Sequence, residues 1–157
     1  MDIRFDPAAP EDADVLLAMM RELYEHDEMH MDEARHRAAL GRLLAEPGRG
    51  RVWVARADGE PAGYMVLTVG YSLEFAGPDA FVDELYLRPA FRGAGLGRRA
   101  IETAAEACRE LGVRAMHLEV ERSNIDAQAF YRRLGFRDHD RYLLTRWIDD
   151  ADAPPAP

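Results

Sequence analysis

The sequence predicts an α/β protein in which helices pack on a mixed sheet. Two amphipathic helical patterns occupy the first 45 residues, and strand segments separated by turn signals follow up to residue 87. A strand–helix–strand unit comes after them. Antiparallel strands need only a short turn, whereas parallel strands need a crossover helix, so this order predicts both kinds of pairing in one sheet.

The first three elements are predicted from local patterns. Ile3 and Phe5 alternate with polar neighbours, which is typical of a short strand. The acidic segment 11–14 opens a helix, because negative charge stabilises the amino end of a helix. A second helix runs from about Asp32, a good N-cap, to Ala45, before a Pro-Gly pair ends it.

Three strand segments follow the helices. Segments 52–55 and 63–69 flank Asp58 and Gly59, and an Asp-Gly pair between apolar strands is a strong hairpin signal. A Gly-Pro turn then leads into a strand at 80–87. These strands form the antiparallel part of the predicted sheet.

The second half supplies the parallel part. A helix at about 96–111 ends at a glycine, which favours a carboxyl-terminal cap. It is followed by a strand at 115–120 and a second helix at 124–134. Two short strands come last, at about 136–139 and 141–147. We therefore expect about seven strands and four helices in one domain, 1–148. The acidic, Pro-rich segment 149–157 is predicted to be a disordered tail.

Composition excludes several classes of protein. The formal net charge of −9 disfavours binding to nucleic acid or to an anionic membrane, which both need a positive field. The amino end lacks the apolar core of a signal peptide and no apolar run reaches about 18 residues, so we expect a cytoplasmic protein. Cys108 is the single cysteine, which excludes an internal disulfide. His26 and His30 have the spacing of a helical zinc pair but no evident third ligand, and we expect no metal.

A glycine-rich loop precedes the long helix. Gly93, Gly95 and Gly97 remove side chains at alternate positions, so that successive N–H groups and the helix amino end can face one anion. Four arginines and no carboxylate lie within 88–99: Arg88, Arg92, Arg98 and Arg99. These features predict a phosphate site. The glycine spacing differs from the GxGxxG dinucleotide fingerprint, which disfavours a dinucleotide-binding oxidoreductase.

Two segments resemble the GNAT N-acetyltransferases. Residues 92–97, RGAGLG, resemble that family's Q/R-x-x-G-x-G/A acetyl-CoA signature. Residues 124–136, NIDAQAFYRRLGF, resemble its N-x-x-A-x-x-x-Y-x-x-x-G-F segment. The order of elements also matches from about residue 2 to 147. The resemblance implies a sheet that opens between its fourth and fifth strands, with acetyl-CoA in the gap.

The resemblance also implies which residues contact acetyl-CoA. Backbone N–H groups of the glycine-rich loop would hold the diphosphate, and the main chain of strand 80–87 would pair with the pantetheine arm. The predicted contacts are Leu85, Tyr86, Leu87, Arg92, Gly93, Ala94, Gly95, Leu96, Gly97, Arg98, Asn124 and Tyr131. Asn124 has an alternative role as the cap of its helix.

Transfer to an amine requires two proton movements. An alkyl ammonium with a pKa near 10.4 must first lose a proton, and the carboxylates of Asp83 and Glu84 are candidate bases, with a water chain as the alternative. Alternation along a strand predicts that they face opposite sides, and we favour Asp83. Tyr131 resembles the general acid of the family. Glu25 and Glu28, in an acidic segment, are candidates for binding a cationic acceptor.

The predicted function is direct, acetyl-CoA-dependent transfer to the primary amine of a small cationic acceptor. One alternative is a protein acetyltransferase acting on lysine or on an amino terminus. A second is a non-catalytic acyl-CoA-binding regulatory domain. The family resemblance also makes a homodimer an expectation.

Overall fold

The computed structural model describes residues 1–155, which form two compact units: Met1–Glu119, and a second unit that begins at Val120. The sheet and three of the helices belong to the first unit. The end of the predicted tail, residues 156 and 157, lies outside the described residues. No helix within residues 1–155 is long and apolar enough to cross a membrane.

The sheet of the first unit has five strands in the order β1-β2-β3-β4-β5. The first four pair antiparallel, and β5 runs parallel to β4. This confirms the predicted mixed sheet. The strands are β1 Ile3–Pro7, β2 Gly50–Ala57, β3 Glu60–Ser72, β4 Gly77–Leu87 and β5 Met116–His117.

The four predicted helices are present. They are α1 Ala13–His26, α2 Glu33–Ala45 and α3 Leu96–Glu110 in the first unit, and α4 Ile125–Arg133 in the second. The Asp32 side chain accepts a hydrogen bond from the backbone N–H of Arg35, which confirms the N-cap of α2. Asp58 and Gly59 have φ values of 49° and 88°, the left-handed conformation that the predicted hairpin between β2 and β3 requires.

Apolar side chains are buried on both faces of the sheet. On one face α1 and α2 cover a cluster that includes Leu16, Leu17, Met19, Met20, Leu40, Val52, Val54, Tyr64, Val66 and Tyr86. On the other face, Leu96 of α3 packs with Ile3, Ala55, Ala57 and Ala62. Burying each large apolar side chain stabilises the fold by about 1.5–3 kcal/mol.

The strand count and the extent of β5 differ from the prediction. Strand β5 has two residues instead of the six expected at 115–120, and no strand forms at 136–139 or 141–147 among the described residues. Side chains from 137 to 150 are exposed, so no apolar face is buried there to stabilise pairing. Strand β4 pairs with β5 only through Ala80 and Phe81. The sheet therefore opens along the rest of β4, which confirms the predicted opening between the fourth and fifth strands.

Candidate active site

The carboxyl-terminal half of β4 presents its main chain to the opening. The N–H of Arg88 donates to the carbonyl of Ala62 at 2.9 Å. Hydrogen-bonding direction alternates along an antiparallel ladder, so the main-chain groups of Leu85 and Leu87 point away from β3, whereas those of Tyr86 point toward it. Arg92 confirms this direction, because its Nε donates to the Leu87 carbonyl at 2.8 Å.

The glycine-rich loop leads from this edge into α3. Gly93 and Gly95 each have a φ of 81°, and Gly95 is the N-cap of α3 without a side-chain capping bond. The backbone N–H groups of 93–98 have no hydrogen-bond partner within residues 1–155. Such a run of amides at the amino end of a helix is suited to binding an anion.

The arginines near this loop are not equivalent. Arg88 donates to both carboxylate oxygens of Glu22, at 2.7 and 3.0 Å, and also to the Pro61 carbonyl. The sequence counts Arg88 among the cations near the predicted phosphate site, but its charge is paired with Glu22 of α1. Arg98 lies 3.9 Å from Glu102 on an exposed face of α3.

A bulge in β4 determines where the two candidate bases lie. In the register with β3, Val66 is opposite Glu84 and Leu67 is opposite Val82, which leaves Asp83 as an extra residue. Asp83 and Glu84 consequently line the same cavity. The prediction that they face opposite sides is wrong, because regular alternation fails at a bulge.

The cavity lies between α1, α2 and the sheet, and its volume is about 170 Å³. Its apolar lining consists of Met20, Ala39, Leu40, Leu43 and Val66. The polar lining consists of Tyr24, His36, Asp83 and Glu84. The exposed carboxylates of Glu25 and Glu28, near the end of α1, are not among the lining residues.

Two tyrosines fix Glu84 in this cavity. The Tyr64 hydroxyl donates to one carboxylate oxygen at 2.6 Å, and the Tyr24 hydroxyl donates to the other. Burial raises the pKa of Glu84, although both hydrogen bonds lower it. Sequence analysis missed both tyrosines. Tyr24 follows Met20 by four residues, and that helical spacing could have placed it on the buried face of α1.

Asp83 differs from Glu84 in its partners. Its carboxylate makes no hydrogen bond or ion pair with the described chain. Desolvation raises its pKa, which makes it a stronger base than an ordinary aspartate. Asp83 is therefore the carboxylate that is free to accept a proton.

The second unit contains the other two predicted site residues. The Asn124 side chain accepts a hydrogen bond from the N–H of Ala127 at 3.1 Å, so it caps α4. The ring of Tyr131 contacts the rings of Phe130 and Phe136 edge-on, with centroid distances of 5.1 and 5.6 Å. Burial raises the pKa of Tyr131, so its hydroxyl stays protonated at neutral pH.

The environments of His26 and Cys108 indicate structural rather than chemical roles. Residues 1–155 contain no group of three or more His, Cys, Asp or Glu side chains that could hold a metal ion. His26 Nδ1 lies 2.9 Å from a carboxylate oxygen of Asp27 on the surface. Cys108 is buried in α3, and its pKa is raised by desolvation, which disfavours a reactive thiolate.

Comparisons with known proteins agree with this geometry. Residues 15–136 match the acetyltransferase (GNAT) family. Thialysine N-epsilon-acetyltransferase from Sus scrofa is 29% identical in a match that covers 78% of this chain and 77% of that protein. The crystal structure of an integron cassette protein from the mobile metagenome of Cole Harbour Salt Marsh is 35% identical, with a TM-score of 0.83 over 96% of this chain and 91% of that one. An aminoglycoside N-acetyltransferase solved with CoA shares the fold, with a TM-score of 0.81 at 17% identity over 94% of this chain and 96% of that one.

Proposed function

The chain belongs to the acetyltransferase (GNAT) family and is an N-acetyltransferase with acetyl-CoA as donor, and we propose that its acceptor is the primary amine of a small cationic molecule. The observation that carries this proposal is the cavity shared by Asp83 and Glu84. Two carboxylates beside one cavity attract and orient a cation. The relative named for thialysine N-epsilon acetylation supports an amine acceptor.

The first unit has groups that fit acetyl-CoA. The unpartnered N–H groups of 93–98 would hold its diphosphate, and the outward main chain of Leu85 and Leu87 would pair with the pantetheine amides. When bound, acetyl-CoA supplies an acetyl thioester. The N–H of Leu87 points to the same open edge, where it would hydrogen-bond the thioester oxygen and stabilise charge developing there.

Asp83 would take the proton from the acceptor. An alkyl ammonium with a pKa near 10.4 has no lone pair, so a base must act before the nitrogen can attack. Both oxygens of Glu84 already accept hydrogen bonds from tyrosines, whereas the carboxylate of Asp83 is free. Glu84 would remain in place as a second negative group, and the exposed Glu25 and Glu28 would add to the field that attracts the cation.

Tyr131 would complete the proton balance. The new bond joins the amine nitrogen to the acetyl carbon, and the bond from that carbon to sulfur breaks. The ammonium would give one proton to Asp83 before attack, and the nitrogen would lose a second proton as the amide forms. The Tyr131 hydroxyl would donate its proton to sulfur and regain the second proton through water, and Asp83 would return its proton to solvent, so that each turnover releases one proton. The raised pKa of Tyr131 keeps its hydroxyl proton available at neutral pH.

The test is a CoA-release assay with a panel of amines, with the products identified by mass. We expect acetylation of small cationic amines at a higher kcat/KM than of lysine peptides or peptide amino termini, since the cavity is only about 170 Å³. Faster acetylation of peptides would support the protein-acetyltransferase alternative. No acetylation of any amine, with a chain that binds acetyl-CoA by calorimetry, would overturn the proposal.

A further inference from the structure

We infer that the acceptor is an amphiphilic monoamine, with one ammonium group and a single apolar tail of about six carbons. The inference rests on the proposed function for the reaction at the nitrogen. It adds the substrate class, which the contrast between the charged and the apolar walls of the cavity indicates.

Charge is confined to one wall of the cavity. Asp83 and Glu84 come from β4, and they are the only carboxylates among the lining residues. The Tyr24 hydroxyl already donates to Glu84, and His36 Nδ1 is bonded to the Asp32 carbonyl at 2.7 Å. A second ammonium group among the other lining residues would therefore have no charged partner.

The other walls are apolar. Met20 from α1, Leu40 and Leu43 from α2, and Val66 from β3 face the same space. Met20, Leu40 and Val66 are buried, with relative exposures of 6%, 4% and 4%. An unpaired charge among such side chains is costly, whereas a hydrocarbon tail there leaves water favourably.

The volume sets the length of the tail. An engineered apolar cavity of roughly 150 Å³ takes up benzene, and the cavity here is about 170 Å³. A six-carbon alkyl chain or a phenyl ring is therefore the right size. A long polyamine would exceed this volume and would also place a second charge among the apolar side chains.

Kinetics with two matched comparisons test the inference. Each buried methylene contributes about 0.8 kcal/mol, or roughly fourfold, so kcat/KM should rise roughly sixtyfold from n-propylamine to n-hexylamine. n-Hexylamine and 1,5-diaminopentane have the same number of non-hydrogen atoms, but the diamine replaces the terminal methyl with an ammonium group. We expect the diamine to be at least about tenfold poorer.

A variant pair locates the effect in this cavity. Ala39 lines the cavity and is exposed at its edge, whereas the neighbouring Ala38 is exposed and is not a lining residue. Ala39→Phe should raise the KM for n-hexylamine about tenfold or more, as filled space excludes the tail. The rise in KM for n-propylamine, whose tail is three carbons shorter, should be smaller. Ala38→Phe should change neither, and thermal melting checks that both variants fold.

Calorimetric binding of the three amines to the chain loaded with CoA separates the two proposals. Binding that is independent of chain length, tighter binding of the diamine, or no binding of any amine would overturn the inference. Normal acetylation of other amines would then leave the proposed function standing. If the expected order of binding holds but no amine is acetylated, the proposed function fails while the amphiphilic-amine site stands.

Discussion

Arg88, the residue that follows β4, donates two hydrogen bonds to the carboxylate of Glu22 on α1. The Tyr86 hydroxyl also donates to Glu22, at 3.1 Å. Helix α1 is therefore tied to the end of the strand that leads into the glycine-rich loop. The same helix contributes Tyr24 and Met20 to the cavity that holds Asp83 and Glu84, so these bonds help to position both that cavity and the loop.

Glu22→Gln tests this connection. Hydrogen bonds to charged groups contribute about 1.5–3 kcal/mol, but Arg88 and Glu22 are 31% and 37% exposed, so we expect a loss of only about 1 kcal/mol at pH 7. Its hydrogen bond with Arg88 holds the pKa of Glu22 below the usual 4.5. That stabilisation is complete above pH 4.5 and is lost as pH falls through the folded-state pKa.

The measurement is denaturant unfolding of the variant and of the natural chain at pH 7 and at pH 3–4. Glu25→Gln, at an exposed position on the same helix, is the control. A stability difference that stays constant from pH 7 to pH 3–4 would contradict the assignment.

Glu84→Gln should behave in the opposite way. Burial raises the pKa of Glu84 above its usual 4.5, so its contribution to stability is complete below pH 4.5 and is lost as pH rises through the folded-state pKa. The variant keeps an amide that can bond both tyrosine hydroxyls but never carries the buried charge. We therefore expect its melting temperature, relative to the natural chain, to increase as pH rises from 4.5 to 7. A difference that is independent of pH would show that Glu84 is not destabilised by burial.

Asp83→Asn separates the two carboxylates in function. Asparagine keeps the size of the side chain but cannot accept the ammonium proton, and loss of a general base typically costs roughly 10²-fold or more in rate. We expect kcat to fall about 100-fold. The acidic limb of the kcat/KM profile, which reflects the raised pKa of Asp83, should disappear. A larger loss in Glu84→Gln than in Asp83→Asn would assign the base to Glu84 instead.

Tyr131→Phe tests the proposed role of Tyr131 as proton donor. Phenylalanine keeps the ring contacts with Phe130 and Phe136, so the melting temperature should be nearly unchanged. Loss of the hydroxyl should lower kcat by about 10²-fold with little change in KM. Tyr142→Phe, at a position that is 80% exposed, is the matched control. Equal activities of the two variants would exclude Tyr131 from proton transfer.

The elements that sequence predicted well depend on local interactions. The hairpin at Asp58 and Gly59 and the cap at Asp32 need only the conformation or hydrogen bonding of a few adjacent residues. The same holds for Gly95, whose positive φ begins α3. Such features can be read from a short segment without knowledge of the rest of the fold.

The features that sequence missed depend on pairing between distant segments. The bulge at Asp83 exists only in the register of β4 with β3, and alternation alone predicted the wrong side for one carboxylate. The bonds from Tyr24 and Tyr64 to Glu84 span 60 and 20 residues of sequence. The strands expected at 136–147 had suitable residue types, but strand propensity does not specify a partner strand.

Gly95→Ala tests the proposed role of the glycine-rich loop in binding acetyl-CoA. Gly95 has a φ of 81°, and a Cβ there would meet no atom within 4 Å, so the cost is backbone strain of about 1–2 kcal/mol. Relief of that strain would turn the N–H groups of Leu96 and Gly97 away from their common direction. We expect the Kd for acetyl-CoA, measured by calorimetry, to rise at least about tenfold.

Gly41→Ala is the matched control for this variant. Gly41 lies within α2, and a Cβ there would also meet nothing within 4 Å, but its φ is not positive. Alanine should stabilise that helix by about 1 kcal/mol and leave the Kd for acetyl-CoA unchanged. If Gly95→Ala lowers stability but binds acetyl-CoA as tightly as Gly41→Ala does, the amides at the start of α3 do not hold the diphosphate.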